Sequence, residues 1–194
     1  MRVRILAAVM SASLCSLGLA HAETSIGVTA QFDRKPHDFG DPQGTKYPIE
    51  VAHIFPSSVM IGGSFEQQLK TGSDDPTDNL EGYVGYKLEL NEVVSFGVTG
   101  GLGERFADSS DDFPYYVFHV RADVALDEHW TINVVNYRYR NAFDTEDDYN
   151  TPEVATGISL KIDDKNTISA KYYYSWKEGE PEDQGIGIGY RFGF

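Results

Sequence analysis

The side chains with the clearest chemical potential are charged, and they recur at every second position. Arg138 and Arg140 stand two apart, as do Arg121 and Asp123, and Lys87 and Glu89, with an apolar or aromatic residue between the members of each pair. Such spacing puts both members on one face of a β-strand. Read along that face, the second to fourth alternating segments supply Glu50, Glu66, Glu81 and Glu89 with only Lys87 among them. The sixth to tenth supply Arg121, Arg138, Arg140, Lys161, Lys171 and Arg191 against Asp123 and Glu153. The chemistry on offer is electrostatic. An acidic wall facing a basic one across a narrow space sets up a transverse field that orients polar solutes and screens them by charge. The same walls, if they meet, pair and fill the space.

The elements that must position these groups are strands. In Gly185-Ile186-Gly187-Ile188-Gly189-Tyr190-Arg191-Phe192-Gly193-Phe194, every even residue is large and apolar and every odd one is Gly or Arg. Ten stretches alternate in this way: 24–32, 47–55, 58–69, 80–90, 93–106, 115–126, 130–143, 153–162, 167–176 and 185–194. Their polar faces carry too many charges for the dry core of a soluble sandwich. The pattern reads inside out, with the apolar face toward lipid, and predicts an all-β fold: an antiparallel transmembrane β-barrel of ten strands, with eight or twelve as alternatives. In the seventh strand the apolar parity switches from Trp130, Ile132 and Val134 to Val135, Tyr137 and Tyr139. A β-bulge at Val134-Val135 restores the register.

The connections alternate as well. Pro56-Ser57, Asn91-Glu92, Asp127-Glu128-His129 and Asp163 to Asn166 are short turns, whereas 33–46, 70–79, 107–114, 144–152 and 177–184 are longer. Short periplasmic turns and long outer loops are the habit of outer-membrane barrels, and an even strand count returns both termini to the periplasm. With the first strand running outward, Tyr47, Tyr116, Phe118, Tyr137, Tyr139, Tyr172, Tyr174 and Trp176 form an outer aromatic girdle. Phe55, Trp130, Tyr190, Phe192 and Phe194 form a periplasmic one.

The first 22 residues read as a cleaved signal peptide: a basic start at Arg2 and Arg4, an apolar run from Ile5 to Leu19, and a small-x-small site at Ala20-His21-Ala22. The barrel then occupies residues 23–194 as one domain. Cys15, the only cysteine, lies in the leader. Removing Arg2 and Arg4 takes the formal charge from −14 to −16, which argues against nucleic acid as a partner.

With these features the chain resembles the small β-barrels of Gram-negative outer membranes, whose closing strand ends in an aromatic read by the barrel-insertion machinery. That resemblance implies an insertion signal at Tyr190, Phe192 and Phe194. Leu126-Asp127-Glu128-His129-Trp130 and Tyr137-Arg138-Tyr139-Arg140 resemble the oligogalacturonate-specific porins. Those have twelve strands and a longer chain, so no functional residue is carried across from them.

Two functional readings follow: a narrow porin-like channel for small polar or anionic solutes, and a closed structural or adhesive barrel that works through its outer loops. Expected partners are outer-membrane lipid, lipopolysaccharide and the insertion machinery. The acidic loops, with Asp74, Asp75, Asp78, Asp108, Asp111, Asp112, Asp144, Glu146, Asp147, Asp148, Glu178, Glu180, Glu182 and Asp183, suggest weak divalent-cation binding. Their spacing matches no known metal motif, and no cofactor is expected. A lipid-modifying enzyme is the remote alternative. The chain lacks the His-x-Ser-Asn run of lipid A deacylases, and His119 and Asp123, on one strand face, are about 13 Å apart by the strand rise. The expectation is therefore not an enzyme, with His119 part of a lumenal charge network.

Overall fold

The computed structural model describes residues 23–107, 112–144 and 149–194. The expected signal peptide lies outside them, as do the loop acids Asp108, Asp111, Glu146, Asp147 and Asp148. Ten strands follow in chain order: β1 (Glu23–Lys35), β2 (Asp38–Ile54), β3 (Val59–Lys70), β4 (Thr77–Glu89), β5 (Val94–Ala107), β6 (Phe113–Ala125), β7 (Trp130–Ala142), β8 (Thr151–Lys161), β9 (Asn166–Lys177) and β10 (Glu180–Gly193). Each pairs antiparallel with its neighbours in sequence, and β10 returns to β1 in a register from Ser25↔Gly193 to Arg34↔Gln184. The sheet is thus a closed barrel of ten strands, as the alternation predicts.

Closure follows from the residue pattern. Val28, Val84, Leu102, Tyr116, Ile158 and Ile188 stand exposed on the outer surface, while the opposite parity holds Gln31, Asp33, Glu66, Glu81 and Arg140 buried inside. A closed sheet leaves no unpaired strand edge, which lipid could not solvate. The parity switch in β7 is met by a register shift: Ala122 faces Val135 and Asp123 faces Asn133, so Val134 has no cross-strand partner. This is the expected bulge.

The connections differ from expectation at two places. Segments 33–46 and 177–184 are not loops but the arms of extended hairpins, with the strands continuing to two-residue turns at Pro36-His37 and Glu178-Gly179. His37 and Glu178 take positive φ there, at 65° and 50°. Polar residues in these arms obscured the alternation, yet Asp33, Lys46 and Asp183 keep the inward parity of their strands. At the end that carries both termini, three turns share one device. Asn91, Asp127 and Asp163 each accept the backbone N–H groups two and three residues on, at 2.8 to 2.9 Å. This is the turn chemistry for which Asn and Asp are favoured.

Three inward glycines owe their place to rings. A Cβ on Gly103 would strike the Tyr115 ring, one on Gly62 the Tyr83 ring, and one on Gly185 the hydroxyl end of Tyr173. The missing side chains let three tyrosines lie against the wall of the lumen.

Candidate functional site: an ionic network in the lumen

Each of these tyrosines ends on a carboxylate. Tyr83 donates to Glu50 at 2.6 Å, Tyr115 donates to Glu81 at 3.0 Å, and Tyr173 donates to Asp33. The carboxylates are also met by cations from other strands, so the acidic and basic walls do not face one another across open space.

The central cluster joins β3 and β4 to β7 and β8. Arg140 donates from Nη1 to Glu66 Oε1 at 2.7 Å and from Nε to Glu81 Oε1 at 2.5 Å. Arg138 donates from Nη1 to Glu66 Oε2 at 3.2 Å and from Nη2 to Glu153 Oε2 at 2.8 Å. Because β3 and β7 lie four strands apart in a ring of ten, these bonds bridge the lumen from wall to wall. Ser64 donates to Glu81 Oε2 at 3.1 Å, and the Arg140 guanidinium lies 5.7 Å from the Tyr115 ring centre. Asn79 donates to Glu66 at 3.4 Å and accepts from Tyr149 at 2.9 Å. Tyr149 enters from the β7 to β8 connection and packs on Phe113 and Tyr115, with ring centres 5.1 Å away in each case.

A second cluster sits at the seam of β1, β2 and β10. The Lys46 ammonium lies 3.5 Å from Asp33 and 3.3 Å from Asp183, and 5.7 Å from the Tyr173 ring centre. Sequence reasoning assigned all three charged residues to loops and so missed them. It also gave no role to Tyr83, Tyr115 and Tyr173, although they share the parity of the lumenal charges. That parity was the available signal.

The expected site residues separate accordingly. Glu66, Glu81, Arg138 and Arg140 come together. Glu50 meets Arg191 at 3.7 Å, Arg121 turns to Asp123 on its own strand at 2.6 Å, and Glu89 turns to Lys87 at 2.9 Å. Lys171 lies 5.8 Å from the centre of the Tyr173 ring. Lys161 bonds Asp164 in the adjoining turn at 2.8 Å and is largely exposed, so it stands on the rim and not in the basic wall. His119 and Asp123 do not form a pair: Asp123 bonds Arg121 and Asn133, and His119 faces Glu81. At the chain end Tyr190 donates to Asn166, Phe192 and Phe194 contact edge to face at 5.1 Å, and the Phe194 amide donates to the Thr24 carbonyl. Among the described residues, no three potential ligands converge on a metal position.

Solvent exposure divides the lumen in two. Toward the long hairpins, the side chains of Glu81, Glu66 and Arg140 are 2%, 4% and 5% exposed. Toward the termini, those of Glu50 and Arg191 are both 44% exposed. In one half the paired charges are buried; in the other they stand half-exposed.

No family model matches the chain, and no curated protein matches its sequence. Its fold does have solved counterparts. The KdgM porin in complex with disordered oligogalacturonate aligns over 88% of this chain and 99% of its own, at 13% identity and a TM-score of 0.50. The translocator domain of the autotransporter NalP from Neisseria meningitidis aligns over 91% and 90%, at 9% identity and 0.50. A bacterial polysaccharide outer membrane secretin aligns over 89% and 65%, at 12% identity and 0.51. At these identities the likeness is one of fold. The fold is that of the bacterial outer-membrane β-barrels, in a ten-stranded, porin-like form.

Proposed function

We propose that the protein is an outer-membrane channel for small polar or anionic solutes that rests closed, with the ionic network as its gate. Its termini face the periplasm, and the water-filled half opens there. The observation that carries this reading is the unequal filling of the lumen. Among the described residues, the charged side chains of the hairpin half, from β3, β4, β7 and β8 and from the seam of β1, β2 and β10, are paired and buried, and those of the other half are polar and half-exposed. A porin among the structural neighbours agrees with passage as the activity.

The choice of charges for the blockage also favours a gate. Buried ion pairs gain Coulomb energy but lose hydration, so they are often no more stabilising than an apolar filling of equal volume. Release into a wetted lumen would return that hydration, so the free-energy gap between the paired and the hydrated, unpaired arrangement is smaller than the Coulomb energy alone. A barrel selected only to be closed has a cheaper solution in packed apolar residues. With the pairs released, Arg138, Arg140, Lys171 and Arg191 would line the passage together with Glu50, Glu66, Glu81 and Glu153, the bases attracting an anion and the carboxylates limiting its entry.

The test is planar-bilayer conductance of refolded residues 23–194 under a salt gradient. Wild type is expected to show rare, brief openings. Replacing both Arg138 and Arg140 by Ser should give steady conductance with reduced anion preference. Silence from both proteins, each shown to be folded, would favour the closed structural or adhesive barrel instead.

A further inference from the structure

His119 belongs to no bond of the network, yet it stands against it. Its Nε2 is buried without a hydrogen-bond partner and lies 3.9 Å from Glu81 Oε2. The side chain as a whole stays 29% exposed, so a proton can reach the imidazole. Glu81 is the carboxylate that holds Arg140 through its other oxygen.

The surroundings of His119 are charged on nearly every side. On β4 it faces Glu81, and the Tyr83 ring centre lies 6.5 Å away. On β7 its cross-strand partner is Arg138, with Arg140 two residues on. Glu50 of β2 acts on it from farther off, Arg121 shares its face of β6, and its partner on β5 is the uncharged Thr99.

We propose that His119 is a proton-operated release for the gate, a regulation that rests on the channel reading above. A proton on the imidazole puts a second cation beside Glu81, where it competes with Arg140 for the carboxylate. It also puts a positive charge directly across the ladder from Arg138. Both effects weaken the ties to Glu66 and Glu81. Between pH 5 and 8 histidine is the side chain whose charge ordinarily changes, whereas guanidinium does not. The other histidines of the barrel lie elsewhere: His37 at a hairpin tip, His53 bonded to Thr24, and His129 in a turn. The imidazole takes up its proton more readily once the pairs part and water reaches the ring, so acid shifts the balance toward the released network.

The experiment compares wild type with His119→Gln, both refolded and checked for folding by heat-modifiable gel migration, in bilayers from pH 8 to pH 5. Open probability in wild type should rise several-fold on acidification, and His119→Gln should stay flat. A flat wild type, or a variant that keeps the rise, overturns the proposal. A second readout does not depend on conduction. In ¹⁵N spectra of the barrel in micelles, the Arg140 Nε–H signal, assigned by its loss in Arg140→Ser, should lose protection in acid in wild type only, its exchange rate at each pH being read against that of a free arginine side chain at the same pH. Protection unaffected by acid overturns the release mechanism whether or not the barrel conducts. Conductance of the Arg138→Ser, Arg140→Ser variant reports separately on the channel reading.

Discussion

Glu66 accepts from both arginines that bridge the lumen, so its loss removes two of the four ion pairs of the central cluster. Removing one partner of a buried ion pair usually costs about 3 to 5 kcal/mol. Glu66→Gln should therefore lower the urea midpoint of the barrel in lipid vesicles by several times more than Glu89→Gln, whose side chain is 68% exposed beside Lys87. Equal shifts would mean that the network is not holding the structure. The inward position of Glu66, Glu81, Arg138 and Arg140 was legible in the sequence because a period of two fixes the face. Their pairing was not, because bonds across the lumen depend on which strands a closed barrel sets opposite and on the stagger between them. Asp33, Lys46 and Asp183 were hidden by the polar hairpin arms that surround them.

Among the elements, glycines make the sharpest distinction between the two faces of the sheet. A Cβ at Gly103 meets the Tyr115 ring, whereas one at Gly100 meets nothing within 4 Å. Gly103→Ala should destabilise the barrel by about 1 to 3 kcal/mol, the usual cost of overpacking, while Gly100→Ala should be neutral or mildly stabilising. Unfolding midpoints compare the two directly. The turns at the terminal end make a pH prediction. Hydrogen bonds from the Trp130 and His129 amides hold the Asp127 carboxyl below its ordinary pKa, and the Lys165 amide and Asn166 side chain do the same for Asp163. Because both folded values are depressed, this turn stabilisation is present above the ordinary carboxylate range and is lost as pH falls through the lowered values. Amide shifts of His129 and Trp130 should thus move only in strong acid. In Asp127→Asn, which keeps the acceptor and loses the charge, they should not move with it. The strands, the β7 bulge and these turns were all readable from local pattern. The extended first and last hairpins were not, because two-residue turns at Pro36-His37 and Glu178-Gly179 lie within runs too polar to show alternation.

At the scale of the whole molecule, the barrel is defined by a difference between its ends. Ten strands enclose an interior between those filled by side chains and those that leave a wide aqueous channel. Here the two outcomes share one lumen: bonded charges are buried toward the hairpins, and charged side chains stand half-exposed toward the end that carries the termini. If Arg138 and Arg140 close the lumen, their removal opens it. Cys15 precedes the barrel and is the only cysteine in the sequence, so a reporter thiol can be placed without competition. Gly97 lies in the accessible half, where a Cβ would make only an ordinary 3.9 Å contact with Arg121. The most direct measurement is labelling of Gly97→Cys in oriented vesicles by a charged maleimide supplied only from the hairpin side. The thiol is expected to stay unlabelled with the network intact and to be labelled readily once Arg138 and Arg140 are both Ser. Equal labelling in the two proteins would contradict it, because the lumen would then be open, or closed, independently of the ionic network.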